Sequence, residues 1–143
     1  MKNYSETEVD SLMNRFEARE LPKEEWTHEA HLVVAIVYCS NYSLDEALNL
    51  SRENISRHNE STGGINTDTD GYHETITKFW LIIADNFLQG KSFESSSEAC
   101  NALINSDFGG SKFPFEYYSE NLLFTVHARH NWKDPDLRPI ESI

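Results

Sequence analysis

The run HLVVAIVYC, residues 31–39, is apolar on nearly every side when wound as a helix, and no other feature constrains the fold as strongly. Such a helix has no face to offer water, so other elements must surround it. The run is also far shorter than the ~20 residues needed to cross a bilayer. Thr27 is a good N-cap in front of it, so a central buried helix is predicted over residues 27–40.

The neighbouring segments carry the 3.6-residue periodicity of amphipathic helices. A first helix is predicted over residues 6–19, with Val9, Leu12, Met13 and Phe16 on one stripe and Leu21-Pro22 as its stop. Ser43 caps a third over residues 43–59, whose stripe runs through Leu44, Ala47, Leu48, Ser51, Ile55 and His58. A fourth is predicted over 72–88 with Ile76, Phe79, Trp80, Ile83 and Phe87 inward, a shorter fifth over 95–106, and a sixth over 115–130. No segment alternates as a strand should. The prediction is a single all-α domain over residues 1–143, a bundle of about five to six helices.

Charge limits the partners. There are 12 Lys and Arg against 24 Asp and Glu, a net charge of −12. That surface repels phosphate backbones and anionic bilayers, so neither nucleic acid nor a membrane is an expected partner. The polar start MKNYSETEVD has no apolar core of a secretory signal. Cys39 and Cys100 lie far apart and outside any CxxC pattern, as expected of reduced thiols in a cytoplasmic protein. A homo-oligomer is compatible with everything in the sequence.

The stretch NTDTDGYHETITKFW, residues 66–80, starts like a calcium loop and continues like a helix. Asn66, Asp68, Asp70 and Gly71 occupy the first, third, fifth and sixth positions of the loop pattern, but Thr77 stands where a bidentate Glu is required and His73 where an apolar residue belongs. The expectation is that Asp68 and Asp70 form turns and helix caps, with no calcium bound tighter than about millimolar.

The histidines carry the stronger chemical signal. His28 and His31 share a face of the second helix, His73 lies in the first turn of the fourth, and His58 ends the third. Antiparallel packing of consecutive helices brings these four to one end of the bundle. Imidazole nitrogens suit Zn, Fe or Ni, so His28, His31 and His73 are candidate ligands of one divalent transition metal. Glu74 or His58 would then handle a proton, although Lys78, four residues after Glu74, makes an exposed ion pair the plain reading of that carboxylate. Trp26 and Tyr72 flank the cluster and are candidate pocket walls. His127 and His130, near the end of the sixth helix, are secondary candidates.

Three stretches, EWTHEAHL, NTDTDGYHETITKFW and YYSENLLFTVHARHNWKDPDLRPI, together resemble a family of short bacterial proteins. That family has a W-x-H-x-x-H-L segment, a loop ending in G-Y-H-E-T-x-T, and a Y-S…A-R…P-D-L ending. The resemblance spans most of the chain. It implies Trp26, His28, His31, Tyr72, His73, Glu74, Thr75, Arg129 and Asp136 as motif positions, Arg129 joining Trp26 and Tyr72 as a candidate for binding a ligand. It says nothing about a reaction, and His127 and His130 fall outside it.

Two function classes follow. One is a small metal-dependent hydrolase working through a metal-bound water. The other is a non-catalytic module that binds or senses a small molecule or anion with the same polar pocket.

Overall fold

Short hydroxyl side chains mark where the main helices begin. Ser5, Thr27, Ser43 and Ser95 each accept a hydrogen bond from the backbone N–H three residues on, and at Ser5 and Ser43 the partner Glu8 or Glu46 reaches back to complete a capping box. The computed structural model describes residues 3–141. Its helices are α1 (Glu6–Glu17), α2 (His28–Asn41), α3 (Leu44–Ser61), α4 (Glu74–Leu88), α5 (Ser96–Ile104), α6 (Glu120–Leu123) and α7 (Val126–His130), with short 3-10 turns at Lys23–Glu25 and Phe113–Glu116. The described residues contain no β-strand, so the fold is an all-α bundle.

Helix α2 occupies the centre, against α1, α3, α4 and α5. Leu32, Val33 and Ile36 have no exposed surface, which is the packing that an all-round apolar helix requires. Phe79, Ile83 and Ala84 of α4 are equally buried. The ring of Phe79 meets Trp80, Phe113, Tyr117 and Tyr118 at 5.4–6.1 Å in an aromatic layer beneath the C-terminal segment. Among the described residues no helix is long and apolar enough to cross a membrane. Cys39 is half-buried and Cys100 buried, both free, and burial pushes each thiol up to about 12.

The long sixth helix of the sequence reading is not formed. Residues 113–130 make a 3-10 turn and two short helices instead. Two hydroxyls inside the stretch explain the break: Ser119 accepts from Leu122 N and Thr125 from Ala128 N, so each starts a new helix rather than continuing one. The fourth helix also begins later than its periodicity indicates. His73 sits outside its first turn, as the N-cap.

Candidate functional site

Between the start of α2, the second half of α3 and the 62–73 loop lies an open groove of about 680 Å³. Trp26, His31, Ile55, Tyr72, His73 and Ile76 line it, with Ile65 and the exposed Lys23 and Asp70. A second cleft of about 430 Å³, along α1, is edged by Glu8, Glu24, Glu25 and Glu29 and has no indole or imidazole in its walls.

The groove is built on a stack of rings. Phe16 lies parallel to Trp26 at 4.6 Å, and His31 covers Trp26 with centroids 3.8 Å apart. The Lys23–Glu25 turn and the Thr27 cap deliver Trp26 to this place. Nδ1 of His31 is 2.7 Å from the carbonyl of Thr27, so that nitrogen carries the proton and donates it. Nε2 is left as a bare lone pair. Burial pushes the His31 pKa down to about 4, against the opposing pull of the Thr27 hydrogen bond, and the nearby His28 and His58 lower it further. The ring is therefore a neutral acceptor at physiological pH.

His73 is used at both nitrogens. Nδ1 accepts the N–H of Ile76 at 3.1 Å, capping α4, and Nε2–H donates to the carbonyl of Leu123 at 2.7 Å. Only the neutral ring with its proton on Nε2 can do both. Burial lowers its pKa, partly offset by the Leu123 bond, and the Arg129 cation adds to the lowering.

Glu74 is buried and meets Arg52 of α3 in a bidentate pair at 3.1 and 2.6 Å, while the Tyr72 hydroxyl donates to the same carboxylate at 2.7 Å. Burial alone would raise the Glu74 pKa, but the hydrogen bonds from Arg52 and Tyr72 outweigh it and hold the carboxyl below its usual range. This corrects the exposed Glu74–Lys78 pair. Lys78 lies over the Trp132 ring instead, 5.0 Å from its centroid. Arg52 was not a sequence candidate, because its partner lies on another helix and no spacing announces it.

The loop wall is held at four points. Asn66 accepts from Tyr72 N through Oδ1 and donates from Nδ2 to the carbonyl of Ser56. Gly71 has φ +84°, and a Cβ there would meet Ile65 O at 2.3 Å, so only glycine fits. Arg129 donates to the carbonyls of Gly71 and Tyr72 at 2.9 and 3.4 Å, and His130 lies 2.7 Å from Asp68. The half of the loop that resembles a calcium site is thus tied to Ser56 and His130 at its first and third positions.

Of the residues singled out from sequence, Trp26, His31, Tyr72 and His73 share the groove. His58 has no exposed surface and stands behind Trp26 at 5.2 Å, its Nε2 bonded to Leu21 O and its Nδ1 without a partner. His28 turns away to the carbonyl of Gly109 at 2.8 Å, edge-on to Trp80. Thr75 accepts from Lys133 N and donates to Asn131 O, and Asp136 accepts both groups of Ser119. Ser119 in turn holds the Asp136 carboxyl below its usual range. His127 makes no side-chain bond among the described residues.

A metal ion needs free lone pairs at one point. Among the described residues no group of three or more His, Cys, Asp or Glu side chains is gathered for that purpose. Both nitrogens of His73 are spent on the backbone, so this donor set as arranged does not fit an ion shared by His28, His31 and His73. Comparison with known proteins finds no matching family, no matching curated protein and no matching solved structure.

Proposed function

We propose that the protein is a binding or sensing module that holds a small molecule in the Trp26–His31–Tyr72–His73 groove, in the cytoplasm and without turning it over. One observation carries the reading. His31 brings to an aromatic-walled groove a neutral imidazole whose Nε2 lone pair has no partner among the described residues. Ligand sites combine apolar and aromatic walls with a few placed polar groups in this way. The groups that could move protons are engaged elsewhere: Glu74 with Arg52 and Tyr72, His73 with two backbone groups, and His58 behind the indole. A hydrolytic reading would need one of them released, together with a metal for which His73 has no lone pair left.

The test is a screen of neutral aromatic fragments by nitrogen–proton correlation NMR on untagged protein, accompanied by metal analysis. Shifts gathered at the Trp26 indole and the amides of Gly64, Gly71 and Thr77 are expected. Shifts gathered in the acidic cleft along α1, or a stoichiometric transition metal that fragments displace, would overturn the reading.

A further inference from the structure

Two polar groups in the groove point to the chemistry of its ligand, given the reading above that the groove is a small-molecule site. Nε2 of His31 is an acceptor, because Nδ1–H is committed to Thr27 O. The indole N–H of Trp26 is a donor. Both residues line the groove, and neither polar group has a hydrogen-bond partner among the described residues. Their rings lie tilted by 31° with centroids 3.8 Å apart, within reach of one small molecule. We infer that the groove takes a planar, uncharged lactam-type heterocycle, whose ring N–H donates to Nε2 of His31 and whose adjacent carbonyl accepts from the indole N–H of Trp26.

The alternatives fit less well. A carboxylate or phosphate offers acceptors alone, and would set them against the His31 lone pair. The charged lining residues, Lys23 and Asp70, are one of each sign, and the chain as a whole carries −12, so no field draws an anion in. A sugar would set hydroxyls against Ile55, Ile76 and the ring of Tyr72, whereas a flat ring leaves apolar faces on them. A site built to pair both a donor and an acceptor discriminates strongly against an analogue that lacks one, because the site's own group is then left unpaired.

The experiment uses the full chain and three probes of similar size: carbostyril, a bicyclic lactam; N-methylcarbostyril, its donor-blocked form; and quinaldate, an anionic bicycle. Binding is read by the Trp26 indole resonance and by calorimetry. Carbostyril is expected to move that resonance and to bind at least about tenfold more tightly than either other probe. His31→Phe, which keeps a flat ring on Trp26, should remove that preference. If carbostyril and its N-methyl form bind equally, or quinaldate binds best, the lactam inference fails while the groove remains a site. If no probe moves the Trp26 resonance, the inference fails, and absence of any hit in the fragment screen would take the small-molecule reading with it. The comparison of probes on the unmodified protein stands even if His31→Phe does not fold.

Discussion

Acid should loosen this protein through His31 well before its carboxylates titrate. In the unfolded chain the imidazole has its ordinary value of 6.5, and in the fold burial pushes it down to about 4. Between those values the unfolded chain holds a proton that the folded chain refuses, so stability is fully present above the unfolded value and falls as pH drops towards the folded one. One such group loses about 1.4 kcal/mol per pH unit in that window, which integrates to about 2 kcal/mol between pH 7 and pH 5. His73 shifts in the same direction and adds to the slope. The assay is urea unfolding followed by tryptophan fluorescence at several pH values across this range, at constant ionic strength, for the natural sequence and for His31→Phe. The variant keeps a ring against Trp26 but cannot take up the proton, so its stability should fall by about 2 kcal/mol less over the same range. Equal pH dependence in the two proteins would refute the half-buried, neutral His31 and with it the acceptor on which the proposed ligand chemistry rests.

Two substitutions probe the walls. Gly71→Ala forces a Cβ against Ile65 O and Asn66 Oδ1 at a positive φ, so a loss of more than about 1 kcal/mol is expected, with displaced Tyr72 resonances; a thermally neutral variant would contradict the loop geometry. His73→Ala should cost about 2 kcal/mol, through the lost cap on α4 and the unpaired Leu123 carbonyl, and His73→Asn should recover about half by restoring the cap alone. Asparagine no better than alanine in chemical denaturation would show that the cap contributes nothing.

Much of the scaffold was readable because its signals are local. The caps at Ser5, Thr27 and Ser43 stand directly ahead of apolar periodic runs, and the unbroken apolar run of α2 admits only a central place. The same logic failed at residues 115–130, where apolar spacing suggested one helix and the hydroxyls of Ser119 and Thr125, equally visible, divide it. At the groove, the approach of His31 to His73 was legible, since α2 and α4 start at one end, but His28 and His58, expected beside them, turn to Gly109 O and Leu21 O. What each histidine does was not. A histidine N-cap is unusual, and its second partner, Leu123, is 50 residues away. The Arg52–Glu74 pair joins α3 to α4 across 22 residues without a motif. His28 and His31 share a helical face, yet one turns to Gly109 O and the other to the groove, a choice made by what packs against each ring.

The cap at His73 has a consequence for the order in which the molecule can be made. The first turn of α4 and the loop before it are finished by residues far later in the chain: Leu123 closes on His73, Asn131 and Lys133 on Thr75, Arg129 on Gly71, and His130 on Asp68, over separations of 50 to 62 residues. Contacts that distant close slowly, after the local helices are in place. During synthesis α1, α2 and α3 can leave the ribosome and associate while the groove still lacks its loop wall. Pulse-labelled hydrogen exchange during refolding should accordingly protect the amides of α2 before that of Ile76, and simultaneous protection would contradict this order. The groove would then be the last part of the molecule to close, so an arrested or clipped product ending before residue 123 would be helical but without the contacts that fix the loop wall.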